Sequence, residues 1–205
     1  MTEKKSDITK RLILEAAEEE FSEKGLYGAR VDVIASRAGI NKGMLYQYFG
    51  NKEELYKRAL ESVYIRLEEP ENLIIEKHWD FKRAMEEIVR TYFNFLKDNP
   101  NYVRMVMWEN LHYGRYFRER ELGNTKLNIR VELDRILQEG RKEGLIKENI
   151  DAEQIFLSLI ALSFNYFSNI HTLSAVLKRD LQNTEEISDR ISFVAEMLVS
   201  YAAKE

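Results

Sequence analysis

Between Arg30 and Leu55 the chain reads RVDVIASRAGINKGMLYQYFGNKEEL, and few folds accommodate that stretch. Val31, Ile34, Ala35 and Ala38 recur at the spacing of one apolar helical face. Gly39 follows at once, where a helix end needs a residue tolerant of a left-handed backbone. Ile40 anchors the turn, and Asn41 is suited to cap a second short helix, Lys42 to Tyr48. Leu45 and Phe49, four apart, face inward in such a helix, which leaves Lys42, Met44, Tyr46, Gln47 and Tyr48 on the outside or the rim. Two short helices joined by a glycine turn form a helix-turn-helix, whose second helix can enter a DNA major groove. Asn51 then caps a further helix with Glu54 three residues on. Lys52 in its first turn is unfavourable against the helix dipole, a conflict that a bound phosphate removes.

These residues resemble the TetR family of transcriptional regulators. The resemblance runs through Ile13-Leu14-Glu15-Ala16-Ala17, Phe21 and Gly25, then Ile34-Ala35, Ala38-Gly39-Ile40, Lys42-Gly43, Leu45-Tyr46, Tyr48-Phe49 and Asn51-Lys52-Glu53-Glu54-Leu55. It covers the first quarter to third of the chain. Two positions depart from the pattern. Arg30 stands where Ser or Thr is usual, which removes a helix cap, and Glu20 stands where an apolar residue is usual, which weakens the core of the first helix.

Composition sets the class. The 205 residues include two prolines and nine glycines, so long helices are expected, and there is no cysteine for a disulfide or a thiolate metal site. The charged N-terminus has no apolar leader core, and the most apolar run, Ile155 to Phe164, is too short to span a bilayer. A cytoplasmic protein without a membrane partner is the expectation. The net charge of −4 hides an uneven distribution: residues 1–60 carry eleven Lys and Arg against ten Asp and Glu, the remainder twenty against twenty-five. Local sign governs phosphate attraction, so the overall balance does not exclude DNA. The acids of the first helix (Glu15, Glu18, Glu19, Glu23) are expected on its outer face.

In order, the pattern predicts a flexible arm over residues 1–6, with Lys4 and Lys5 able to reach DNA. A helix then runs to Lys24 and stops at Gly25, with Ile8, Leu12, Ile13, Ala16, Ala17 and Phe21 as its buried stripe. After the helix-turn-helix comes a helix over 52–67 and a break from Glu68 to Asp80 around Pro70. Further helices are expected over 81–97, after an Asn99 cap and Pro100, over 130–144 with the preceding glycines Gly114 and Gly123 as interruptions, from Ala152 to about Leu173, and over 186–203. The fold class is all-α: an N-terminal three-helix DNA-binding domain over 1–51, a linking helix 52–67, and a larger helical bundle within 52–205.

Matched to the family motif, Lys42, Gly43, Met44 and Gln47 are the candidates for base edges. Arg30, Asn41, Tyr46, Tyr48 and Lys52 are the candidates for phosphates, although Tyr46 suits a core position and Asn41 a simple cap equally well. In the bundle, Tyr92, Trp108, His112, Asn165, Tyr166 and His171 combine aromatic bodies with polar tips. That mixture suits an apolar ligand pocket and also suits an ordinary helical core. The helix from Ala152 is apolar around most of its circumference and must be covered on several sides. With the last helix it is the expected dimer seam, through Phe156, Leu159, Ile160, Ile191, Val194 and Leu198, in the four-helix arrangement the resemblance implies. Glu109-x-x-His112 is half of a di-iron motif, but the second copy is missing because neither His78 nor His171 follows a glutamate at that spacing. No metal, cofactor or catalytic motif is expected. The reading is a homodimeric regulator of a palindromic operator, a repressor released by a small, largely apolar effector. An activator or a partner-controlled regulator of the same fold is the alternative, and a helical-bundle enzyme the remote one.

Overall fold

The computed structural model describes residues 5–75, 77, 79–119 and 128–204. Lys4 of the arm, His78 and Gly123 lie outside them. The described residues form eleven helices: α1 Lys5–Gly28, α2 Val31–Arg37, α3 Lys42–Phe49, α4 Lys52–Ile75, α5 Phe81–Asp98, α6 Pro100–Leu111, α7 Arg115–Glu119, α8 Asn128–Lys142, α9 Ala152–Ser168, α10 Ile170–Leu177 and α11 Thr184–Ala202. The all-α class expected from periodicity is observed.

They group into two compact units that cut across the expected division at residue 51. The head unit holds residues 1–66 together with 101–125, and the second unit holds 67–100 with 126–205. Thus α6 and α7, distant in sequence from the helix-turn-helix, belong with it.

In the head unit the regular helix of α1 is interrupted at Gly25, where its stop is expected, and a short further turn follows to Gly28. Gly25 has φ 65° and ψ 176°, which bends α1 before its last turn. A side chain is excluded twice: that backbone region is open essentially to glycine alone, and a Cβ there would lie 1.9 Å from Nε1 of Trp108. Around this contact Phe21, Tyr56 and Tyr116 pack edge to face, with Tyr56 centred 5.2 Å from both Phe21 and Trp108. Glu18, expected on the outer face, is buried and paired with Arg66 at 2.5 Å.

In the second unit α5 packs on α8, α9 and α11, with Met85, Ile88, Phe93, Leu133, Leu159 and Val194 fully enclosed. Asp80 caps α5 by accepting the Arg83 N–H at 3.0 Å. The break expected at Pro70 does not occur, for α4 continues through it to Ile75. The missing proline N–H is tolerated because burial of Ile74 on the core favours continuing the helix. The helix expected from Ala152 to Leu173 is divided at Asn169, whose own N–H and side-chain amide both donate to the Asn165 carbonyl and close α9.

The seam residues need correction. Leu159, Ile191, Val194 and Leu198 are buried in the subunit's own core, and Phe156 and Ile160 are packed against it. Their periodicity marked the inward face. The exposed apolar side chains on these helices include Leu157 on α9 (57% exposed), Val176 (77%) and Leu177 on α10, and Phe193 (57%), Met197 and Tyr201 on α11.

Candidate nucleic-acid interface

The interface is built on α2 and α3. Ile34, Ala35 and Leu45 are buried, with α2 packed on α1 and α3 packed on α2. At the turn Gly39 takes φ 68°. Its N–H donates to Ser36 O at 3.1 Å, and the next N–H, of Ile40, donates to Ala35 O at 3.0 Å. Asn41 starts α3 with its side chain accepting the Met44 N–H at 2.8 Å.

Arg30 and Glu20 prove to be one feature. Arg30 occupies the N-cap of α2 without a side-chain cap. The buried Glu20 carboxylate accepts the Arg30 N–H at 3.1 Å from the neighbouring helix and lies 3.5 Å from Arg37. A cap missing from the local sequence is thereby replaced from α1. Neither position predicted this alone; the joint departure of both was the available signal.

With that frame fixed, the outward face of α3 carries Lys42, Gly43, Met44, Tyr46 and Gln47, all exposed, with Tyr48 half-buried at the rim. Tyr46 is therefore not a core residue. The Lys42 ammonium lies 5.9 Å from the centre of the Tyr46 ring, a cation–π contact that holds the charge over the outer face of α3. Lys52, at the first turn of α4, donates to the Tyr27 carbonyl at 3.2 Å, and Asn51 caps that helix by accepting the Glu54 N–H at 2.9 Å. Arg30 reaches its own surface partner, Asp32, at 2.7 Å. The Arg30 guanidinium hydrogen-bonded to Asp32 holds that carboxyl below its ordinary range. A fully exposed pair is weak and salt-screened, so Arg30 can exchange Asp32 for a phosphate at little cost.

Behind this face, Glu109 shows what the E-x-x-H spacing is for. Its buried carboxylate accepts the backbone N–H groups of Tyr116 at 2.7 Å and Phe117 at 2.9 Å, and the Tyr56 hydroxyl at 3.2 Å. It thus caps α7 and ties it to α4. Burial and the adjacent Glu109 raise the Tyr56 phenol well above its ordinary value. His112 stacks on Trp108 at 3.8 Å with Nδ1 2.8 Å from the Trp108 carbonyl. Lys57 bridges Glu119 at 2.9 Å and Glu54 at 3.0 Å, which clamps α7 onto the first turns of α4.

The six pocket candidates do not converge. Trp108 and His112 are used in the aromatic packing of the head unit. In the second unit Tyr92 is buried with its hydroxyl donating to Glu71 at 2.5 Å, and Tyr166 donates to the Leu181 carbonyl at 2.7 Å. Asn165 and His171 are exposed. Asn165 and Tyr166 both line an open groove of about 570 Å³ between α9, α10 and α11. Composition could not separate core aromatics from pocket aromatics because both need the same residues.

Known proteins resolve the identity of this arrangement. Residues 13–59 match the family described as "Bacterial regulatory proteins, tetR family", and residues 82–198 match "Tetracyclin repressor-like, C-terminal domain". The HTH-type transcriptional repressor NicS of Pseudomonas putida is 31% identical over 196 residues, covering 94% of this chain and 91% of that protein. The fatty acid metabolism regulator protein of Bacillus subtilis is 31% identical over 145 residues, 68% of this chain and 71% of that one. Among solved structures, the fatty acid degradation regulator FadR from Bacillus halodurans superposes with a TM-score of 0.71 at 18% identity, over 97% of both chains. The chain belongs to the TetR family of DNA-binding transcriptional regulators.

Proposed function

We propose that the protein is a homodimeric repressor that leaves a palindromic operator when a small, largely apolar effector binds its second unit. The observation that carries the DNA half is the outward face of α3. Lys42, Met44 and Gln47 are exposed there on a helix held rigidly by Leu45 and the Asn41 cap. In this reading Lys42, Gly43, Met44 and Gln47 meet base edges, and Arg30, Asn41, Tyr46, Tyr48 and Lys52 meet phosphates. Two heads related by a two-fold axis read two half-sites.

The exposed apolar side chains Leu157, Phe193 and Met197 support a dimer seam on α9 and α11. For the effector, the family's habit of ligand control and the printed names of the fatty-acid regulators support an apolar molecule. Of the sequence candidates, Tyr92 stays in the proposal, as a buried hydroxyl paired with Glu71 inside an apolar core. Such a pair suits an effector with one polar group. Effector binding favours a conformation with mis-spaced heads, and by reciprocity operator DNA weakens effector binding.

The test is fluorescence-anisotropy titration of DNA from upstream of the gene, with Lys42→Ala/Tyr46→Phe/Lys52→Ala beside the wild type. Salt-sensitive binding that falls at least about tenfold in the variant is expected. Binding equal to that of random DNA and unchanged in the variant defeats the assignment of the head. A reporter strain lacking the gene then separates repressor from activator by the sign of the change in target expression.

A further inference from the structure

Arg115, at the start of α7, brings a second cation to the end of α4 that carries Lys52. The two line one cleft of about 540 Å³ with Glu53 and Tyr116, all within the head unit. The Arg115 guanidinium lies 5.1 Å from the centre of the Tyr116 ring. That ring is buried, and the Tyr116 N–H is held by Glu109 at 2.7 Å, so the platform beneath the charge is fixed. Two carboxylates stand near it, Glu119 at 3.1 Å and Glu53 at 3.7 Å. The clamp between α7 and α4 does not need Arg115. Lys57, whose side chain is 15% exposed, already bridges the same two helices at 2.9 and 3.0 Å. The Arg115 side chain is 55% exposed, and pairs so open to water add little to stability.

Resting on the assignment of Lys52 to a phosphate, we infer that Arg115 is a further contact to the DNA backbone, on a phosphate next to the one Lys52 meets. Its pairing with Glu53 sets the guanidinium beside the residue that follows Lys52 in the chain. A guanidinium binds phosphate through two parallel charge-assisted hydrogen bonds, so DNA is a better partner than either exposed carboxylate. Glu119 keeps Lys57 when Arg115 leaves it. Phosphate contacts fix position and carry no sequence information, so Arg115 strengthens the grip without changing the choice of bases. An element too short to stand alone, held on the buried Glu109, thereby sets a cation at the edge of the interface.

The experiment is anisotropy titration of the full chain on its operator duplex from about 50 to about 300 mM potassium chloride, with Arg115→Gln, Arg115→Lys and Lys52→Gln beside the wild type. Arg115→Gln is expected to weaken binding about three- to tenfold and to lower the salt slope by about one unit per half-site, as Lys52→Gln does. Arg115→Lys keeps the slope, and affinity ratios among operators with single base changes match the wild type in all three variants. Arg115→Met, which keeps the stem over Tyr116, replaces Arg115→Gln should the latter lose far-UV circular dichroism. A loss of affinity at unchanged slope overturns the contact and marks Arg115 as structural. So does a loss that disappears in a Glu53→Gln background, which makes Arg115 only the neutraliser of that carboxylate. If Lys52→Gln also leaves the slope unchanged, the placement of α4 on the backbone fails and takes this inference with it. If Lys52→Gln lowers the slope and Arg115→Gln does not, Arg115 alone is excluded.

Discussion

Gly25 and Glu71 show how single residues set local terms that composition hides. At Gly25 an alanine must adopt φ near 65° and displace the Trp108 indole. Gly25→Ala should therefore cost at least about 2 kcal/mol in urea unfolding, through strain and overpacking together. Glu71 has the opposite interest. Burial pushes its carboxyl above the ordinary 4.5, against the hydrogen bond from Tyr92, which favours the ionised form. A carboxyl that holds its proton more tightly when folded contributes its full stability below about pH 4.5, and that contribution is lost as pH rises through the folded value. Glu71→Gln should remove this decline, leaving a flatter profile of melting temperature against pH and a variant at least as stable as the wild type at pH 8. A decline of equal steepness in the variant would show that the titrating group lies elsewhere.

At the scale of elements, α7 is the least expected, and it is held by Glu109 and Lys57. Its five residues are too few to be stable alone, and Glu109 supplies the acceptor for two of its free N–H groups. Glu109→Ala strands those donors and the Tyr56 hydroxyl in a buried site, so a loss of about 3 kcal/mol is expected. Glu109→Gln keeps one acceptor oxygen and should lose less. Hydrogen exchange at the Tyr116 and Phe117 amides reports the same event locally: protection falls in both variants, further in the alanine. Much of the rest was legible in the sequence, and the reasons are physical. The stretch from Arg30 to Leu55 declared itself because its caps, turn glycine and apolar period are all local. Helix α4 was read short because Pro70 signals a break, whereas packing of Ile74 kept the helix intact. The split at Asn169 was missed because the apolar run continues through it. Periodicity in α9 and α11 marked the faces buried within the subunit. An alternating apolar pattern names the face that is buried, and Leu159 and Val194 satisfy it within one subunit.

For the whole molecule, operator affinity, salt dependence and association are one linked quantity. Phe193→Asp places a charge on the apolar face of α11 without touching the core. The variant should remain helical and sediment as a monomer, and it should bind a full operator no better than a half-site. That loss differs in kind from one in the reading head, where Lys42→Ala should reduce the salt slope by about one unit per contact in each half-site while the chain stays dimeric. Comparing the two variants in one titration separates weaker grip from lost pairing. The division of the chain also bears on how this regulator can be rebuilt or inherited. Because Tyr56 and the bend at Gly25 lean on Trp108, Glu109 and Tyr116, the specificity of the head is not portable as residues 1–66. A chimera joined there would leave an aromatic cleft open to water, whereas one that also carries Asn101 to Glu119 transfers the cassette entire. Two segments separated by thirty-four residues must therefore change partners together or not at all.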